Sequence, residues 1–258
     1  MDRKVAVITG AAQGIGLETA RTLAQRGFDL ALNDLKSPTA ALEATARYGI
    51  DVIEIVGDIS VEEQVAAMSA TVIGRFGRAD VLVNNAGISL IRPARETTSD
   101  EWRRVLDVNL TGPFLMCRTF GATMLDQKKG SIINVASIAG LLAVADRAAY
   151  CTSKHGLVGL TRALAAEWGG RGVRVNAVCP GWVKTEMDAA DQAAGVYGDS
   201  DIISRVPMAR FATASDVANA IAFLADDEQS AFVNGHTLSV DGGWFADASW
   251  DRLRLENR

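Results

Sequence analysis

Val5-Ala6-Val7-Ile8-Thr9-Gly10-Ala11-Ala12-Gln13-Gly14-Ile15-Gly16 is the stretch on which the fold turns. Its first four residues are apolar and mostly β-branched, which reads as a short strand buried on both faces. Thr9-Gly10 ends that run. From Ile15 to Gln25 apolar residues return at helical spacing (Ile15, Ala20, Leu23, Ala24), and Gly27 stands where a C-terminal glycine is expected. The turn between strand and helix offers free N–H groups and a partial positive charge, and its glycines let a pyrophosphate approach the backbone. The spacing Gly10, Gly14, Gly16 departs from GxGxxG, so a plain glycine-rich turn stays open on spacing alone. The second strand, Asp29 to Asp34, ends in an acid 18 residues beyond Gly16, where a dinucleotide site needs an acceptor for the adenosine ribose. At an effective dielectric near 20, a carboxylate about 4 Å from a ribose phosphate repels it by roughly 4 kcal/mol. Lys36 could soften this, but no arginine stands near Gln13 or Asp34 in sequence, so NAD is expected over NADP.

The same alternation runs outward along the chain. A helical stretch over Ala40 to Tyr48 leads to a strand at Val52 to Val56, and a helix over Val61 to Phe76 leads to a strand at Asp80 to Val83. Asp100 to Leu125 reads as helix with a break near Gly112-Pro113, Ser131 to Ala136 as strand, and Ala149 to Trp168 as a long helix. Arg174 to Cys179 is a strand, Ala214 to Leu224 a helix and Thr237 to Val240 the last strand. Seven strands separated by helix-length segments imply an α/β, doubly wound parallel sheet with helices on both faces. No composition break marks a linker, so residues 1–258 read as one domain. From Lys184 to Val206 apolar periodicity is lost, the mark of a long lid or binding loop.

Composition agrees with an ordinary globular chain: 258 residues, 48% hydrophobic and 22% charged, which excludes collagen, disorder and a disulfide miniprotein. A net charge of −5 gives no reason to expect nucleic acid or an anionic membrane as partner. Lys128-Lys129 and Arg103-Arg104 read as solvated helix faces. Cys117, Cys151 and Cys179 are odd in number and widely spaced, and the only histidines are His155 and His236. Neither a zinc site nor a disulfide framework is expected, and the pattern suits a reducing compartment. The N-terminus lacks a signal-peptide core and the longest apolar run, Ile138 to Ala145, cannot span a bilayer, so a cytoplasmic chain is expected.

Tyr150-Cys151-Thr152-Ser153-Lys154 carries the chemistry. On a helix, residues i and i+4 share a face, so Tyr150 and Lys154 can enter one pocket. A phenol of pKa about 10 must be shifted by about 3 units to act as a base near neutrality. One ammonium 4 Å away supplies about 4 kcal/mol at an effective dielectric of 20 but only about 1 kcal/mol in water. The pair therefore works only when sheltered; otherwise it is a surface pair. Ser137 stands at the C-terminal end of a strand, where open α/β sheets bind ligands, and its hydroxyl can steady a carbonyl.

With these residues the chain resembles the short-chain dehydrogenase/reductase family, in the group of about 250 residues. The TGxxxGxG turn stands as Thr9 to Gly16, the NNAG stretch as Asn84 to Gly87, and the active-site asparagine as Asn109 within Val-Asn-Leu-Thr-Gly. The family's serine matches Ser137, its YxxxK matches Tyr150 and Lys154, and its PG turn matches Pro180-Gly181. The matches run in order over residues 5 to 243. The resemblance implies a Rossmann-type NAD(P)-binding domain and reversible hydride transfer between a nicotinamide and a secondary alcohol or ketone. It implies Tyr150 as general acid/base, Ser137 with Tyr150 holding the substrate oxygen, and Lys154 lowering the tyrosine pKa and binding the nicotinamide ribose. Asn109 would anchor a relay water. Gly10, Gln13, Gly14, Ile15 and Gly16 would face the pyrophosphate and Asp34 the ribose, with Asp58 and Ile59 beside the adenine. Asn85, Ala86 and Gly87 would line the cofactor's middle, with Pro180, Gly181, Val183 and Thr185 near the carboxamide and phosphates. No metal is needed, and a homotetramer is implied. Two departures stand out: Gln13 replaces a basic residue often seen in NADP-using relatives, and a tail, Trp244 to Arg258, follows the terminal DGG.

Plainer readings stay open for several residues. Asn109 could bond only backbone where its helix bends, and Asp58 could cap the helix beginning near Val61. His155 reads as a structural or surface residue. Trp244, Phe245 and Trp250 either pack on the subunit or a neighbour, or enter the substrate pocket. Ile88, Leu90, Leu141 and Trp182 are expected in the pocket wall. A preference for NAD suggests oxidation and hence a sugar or polyol substrate. The alternatives are a reductase of 3-oxoacyl-(acyl-carrier-protein) thioesters, which usually prefers NADP and docks an acidic carrier, and a non-catalytic regulatory protein that keeps the cofactor fold.

Overall fold

The apolar runs assemble as one seven-stranded sheet in this computed structural model, which describes residues 3–193, 195, 197–250 and 253. The strands are β1 (Val5–Thr9), β2 (Asp29–Asp34), β3 (Val52–Val56), β4 (Val81–Asn84), β5 (Gly130–Val135), β6 (Val173–Pro180) and β7 (Thr237–Val240). All pairings are parallel and the spatial order is 3-2-1-4-5-6-7. The order reverses beside β1, whose neighbours are β2 and β4. A crevice opens at such a switch point because the connections leave on opposite faces.

Alternation along each strand feeds two cores. Val5 and Val7 face one side with Leu82, Ile132 and Val175, under α3 (Glu62–Phe76), α5 (Gly112–Gln127) and α6 (Ala148–Trp168). Ala6 and Ile8 face the other with Leu32, Val83 and Ile133, under α1 (Gly14–Gln25), α2 (Thr39–Thr45) and α9 (Ala214–Ala225). The expected doubly wound arrangement, covered on both faces, is the one observed.

Two boundaries depart from expectation in ways that matter for the site. The expected helix over Asp100 to Leu125 is α4 (Ser99–Leu106), a π-helical turn (Asp107–Thr111) and then α5. The shift falls one turn before Gly112-Pro113, where it was expected. Pro113 has no N–H to donate four residues back, to Asn109; the Gly112 N–H reaches Asp107 instead, and the wider turn follows. The stretch read as an irregular loop contains α7 (Glu186–Ala193) and α8 (Asp199–Ile203). α7 escaped the periodicity test because the residue it buries is Asp188, not an apolar side chain. Residues 194 and 196 of that stretch, and residues 251, 252 and 254–258 of the expected tail, lie outside the described residues. No helix among the described residues is long and apolar enough to cross a membrane.

Glycines fix the approach of β1 to α1. A Cβ at Gly16 would stand 2.0 Å from the Gly10 carbonyl oxygen, whereas one at Gly74 on α3 meets nothing within 4 Å. Gly16→Ala is expected to cost about 1–3 kcal/mol through overpacking, and Gly74→Ala to stabilise by about 0.5–1 kcal/mol. Urea unfolding of the two variants beside the parent checks both signs.

Candidate active site

The switch point is held shut at its base by polar bonds between strand ends. The Thr9 hydroxyl accepts from the Asn85 and Ala86 N–H groups, each at 3.0 Å. The Asn85 amide donates to the Thr9 and Gly10 carbonyls, also at 3.0 Å. Gly10 has φ +65°, and a Cβ there would lie 2.8 Å from Ala86 Cα, so this close approach needs glycine. Above the seam opens a cavity of about 540 Å³, a size typical of small-molecule sites.

One end of the cavity is built for a phosphate-bearing group. Gly10, Gln13, Gly14 and Ile15 line it at the start of α1. That helix end has no side-chain cap and no acid in its first turn, so its N–H groups and dipole are not satisfied from within the chain. Asp34, at the end of β2, accepts from the Ala12 N–H at 2.9 Å and the Leu35 N–H at 2.8 Å, which aims its carboxylate along the wall. Asp58, Ile59, Asn85, Ala86, Gly87, Pro180, Gly181, Val183 and Thr185 line the same cavity. This set, a bare helix N-terminus with a fixed carboxylate beyond it, fits a dinucleotide's pyrophosphate and ribose.

Three expectations at this end need correction. Gly16 is not a lining residue: it faces the Gly10 carbonyl, and its missing side chain serves helix–strand packing. Arg104 does not simply face solvent with Arg103; it lines the cavity and pairs with Asp58 at 3.1 Å. Asp58 is not the cap of α3, whose N-cap is Val61; it accepts from the Ser60 N–H at 2.9 Å and hydroxyl at 2.6 Å. Burial works against the Asp58 carboxylate, but Ser60 and Arg104 outweigh it and hold its pKa below the ordinary value.

The other end gathers Ser137, Tyr150 and Lys154. Ser137 follows β5, and its hydroxyl accepts from the Ala139 N–H at 3.1 Å. α6 brings Tyr150 and Lys154 onto one face. The Lys154 ammonium passes under the end of β5 and donates to the Val135 carbonyl at 2.8 Å. Its Nζ stands 5.7 Å from the Tyr150 ring centroid. Burial lowers the Lys154 pKa to about 8. Burial likewise raises that of Tyr150, opposed by the nearby Ser137 hydroxyl and by the charge of Arg147. The expected meeting of the two side chains in one cavity is the one found. Lys154 spends a hydrogen bond on backbone, and the cation that favours the phenolate is three residues upstream.

Asn109 lies one layer behind, fully buried and not among the lining residues. Its side chain accepts from the Ile88 N–H at 2.8 Å and donates to the Ile88 carbonyl at 2.9 Å and to Ser153 Oγ at 3.2 Å. A Cβ on Gly87 would sit 3.2 Å from Asn109 Oδ1 and 3.6 Å from Lys154 Nζ, so glycine keeps a gap open between the two.

The substrate side of the wall differs from the expected one. Ile88 and Trp182 line it; Leu90 and Leu141 do not, and Leu141 packs instead beside Ala136 and Leu157. Trp244 stacks on Trp182 with centroids 4.4 Å apart, which ties the start of the tail to the wall, whereas Phe245 and Trp250 are exposed. Asp188, Asp191 and Tyr197, from the 184–206 stretch expected as a binding loop, also line the cavity, as does Arg147, which the sequence did not single out. The signal available was Arg147 at i−3 from Tyr150, one helical turn away. Tyr197 donates to Asp188 at 3.0 Å, and burial together with that carboxylate pushes its pKa up to about 12.

Comparison with known proteins agrees with this geometry. The family model described as Enoyl-(Acyl carrier protein) reductase matches residues 10–245. Over 249 residues the chain is 42% identical to D-threitol dehydrogenase of Mycolicibacterium smegmatis, covering 95% of this chain and 94% of that one. It is 38% identical over 243 residues to 3-oxoacyl-(acyl-carrier-protein) reductase of Synechocystis sp., covering 93% and 96%. A structure of a putative NAD(P)-dependent gluconate 5-dehydrogenase from Beutenbergia cavernae with bound NADP superposes with a TM-score of 0.89 at 39% identity, covering 95% and 97%.

Proposed function

The chain belongs to the short-chain dehydrogenase/reductase family, and we propose that within it the chain is an NAD-dependent oxidoreductase of a small polyol or sugar. The observation that carries the reaction class is the meeting of Ser137, Tyr150 and Lys154 in one cavity with the bare N-terminus of α1. A bound nicotinamide supplies the hydride acceptor for alcohol oxidation, or the donor for carbonyl reduction. The residues do the rest. Ser137 Oγ holds the carbinol oxygen, and the Tyr150 phenolate takes the hydroxyl proton as that oxygen becomes a carbonyl. Lys154, kept from bulk water beneath β5, offers the ribose a cationic donor. The gap left by Gly87 gives a water room between Asn109 and Lys154, and so a path for the proton away from the phenol.

Asp34 supports NAD. Its carboxylate lines the cavity, and the bonds it receives come from two backbone N–H groups, not from a cation. A ribose phosphate there would be repelled by that carboxylate, with Lys36 on the same wall to soften the repulsion. The polyol reading draws support from the resemblance to D-threitol dehydrogenase and from the polar wall of Arg147, Asp188, Asp191 and Tyr197, which suits hydroxyl groups. The second reading, reduction of 3-oxoacyl thioesters, is favoured by the relative from Synechocystis sp.. A homotetramer, the assembly implied by the family, is part of the proposal and is read by light scattering.

NADH absorbance over a panel of polyols, sugars and acyl thioesters tests the assignment, with turnover expected on polyols. Tyr150→Phe should lower kcat by about 10²–10⁴-fold while NAD binding, followed by calorimetry, holds; near-parental kcat overturns the assigned base. Protonated phenol cannot accept the carbinol proton, so oxidation should fall as pH drops through the Tyr150 pKa. Burial raises that pKa, placing this limb on the alkaline side of neutrality in a pH profile of kcat. Asp34→Ala should reduce the ratio of kcat/KM for NAD over NADP at least about tenfold, given roughly 4 kcal/mol of repulsion to relieve. A parent enzyme that already prefers NADP refutes the role of Asp34.

A further inference from the structure

Opposite Tyr150 three separate segments meet in one charge network. Arg147, at the entry to α6, donates to Asp191 of α7 at 2.9 Å and to the hydroxyl of Ser89, beyond β4, at 2.9 Å. Ser89 in turn donates to the same Asp191 oxygen at 3.1 Å. The guanidinium carbon is 6.0 Å from the Tyr150 ring centroid, and the paired side chains are only 11% and 16% exposed. Burying a charge pair on this scale is costly, and such a pair gives weak reason to expect a gain in stability. Both Arg147 and Asp191 line the cavity, so a bound molecule meets them. Asp188, one turn earlier on α7, engages Tyr197 and Lys184 and leaves Asp191 as the acid on Arg147.

We propose that Arg147 and Asp191, tied together by Ser89, form the specificity wall of the substrate pocket, with Asp191 setting its charge preference. The inference rests on the oxidoreductase reading of Tyr150. With Asp191 in place the guanidinium is already matched, and the wall presents donors and acceptors to an uncharged, hydroxyl-bearing chain. An incoming carboxylate would have to displace Asp191 or sit against it, and like charges at close range are a strong means of rejection. Without the Asp191 carboxylate, the planar fork of Arg147 becomes a receptor for a carboxylate. Asp191 opposes, and Arg147 favours, the Tyr150 phenolate, as expected if both face the reacting oxygen.

The test compares Asp191→Asn, Arg147→Met and the double variant with the parent, using a four-carbon polyol and the hydroxy acid that carries a carboxylate in place of one terminal CH2OH. Asp191→Asn should move the kcat/KM ratio toward the acid by at least tenfold, and adding Arg147→Met should abolish the gain. Binding of the hydroxy acid is read separately by fluorescence of Trp182, which lines the cavity, and should tighten at least tenfold in Asp191→Asn. Asp191→Ser gives the same readout where the asparagine variant folds poorly. Equal losses on both substrates, or no tighter binding of the acid, overturn the proposal and leave the network as a latch for α7. Absence of turnover on either substrate in the parent would sink the polyol reading, while the fluorescence titration still decides the wall.

Discussion

The Lys154 ammonium, driven under the C-terminal end of β5 and bonded to the Val135 carbonyl, is the constraint around which the reactive end is arranged. A cation there is costly, and burial brings its pKa to about 8. The fold accepts this because α6 is pressed close to the turn that follows β5 (Ile138–Gly140): Gly140 has no side chain, and a Cβ there would lie 2.8 Å from the Lys154 carbonyl oxygen. That closeness fixes Tyr150, one turn earlier on α6, against Ser137 at the strand end. It also fixes Ser153, which joins Asn109 to α6. Sheltering the lysine and aligning the phenol are thus one packing event.

A buried lysine and a buried phenol push in opposite directions. Burial disfavours the charged form of each, lowering the lysine pKa and raising that of the tyrosine. The Ser137 hydroxyl and the Arg147 charge offset part of what burial costs the Tyr150 phenolate.

Much of this was legible because it lies in local pattern. Val5 to Ile8 fed two cores through strict alternation, and the seven strands paired in the parallel order implied by their helical connections. Ser137, Tyr150 and Lys154 could be read from strand-end position and i,i+4 spacing. Three things escaped, each for a physical reason. α7 buries an aspartate over a cavity, so it carries no apolar stripe to detect. The π turn at Asp107–Thr111 is dictated by a missing N–H at Pro113, whose effect falls four residues earlier than the proline itself. Arg147 lacks meaning in sequence until Asp191, 44 residues later, is brought against it. The bond from Lys154 to the Val135 carbonyl was also out of reach, because helical spacing says which side chains share a face and not which carbonyl lies beneath.

The two ends of the cavity handle charge by different means. At the α1 end the chain leaves a helix terminus uncapped, sets the Asp34 carboxylate just beyond it, and keeps one paired cation, Arg104 on Asp58, at the wall. At the Tyr150 end it supplies full charges and pairs them, Arg147 with Asp191 and Lys184 with Asp188. Backbone dipoles are anchored by the fold and cannot be exchanged without rebuilding β1 and α1. Side-chain pairs on α7 can be altered by single substitutions that leave both cores untouched. The α1 end of the cavity is therefore tied to the architecture of the sheet, while the Tyr150 end takes part of its wall from a short helix, α7, outside both cores.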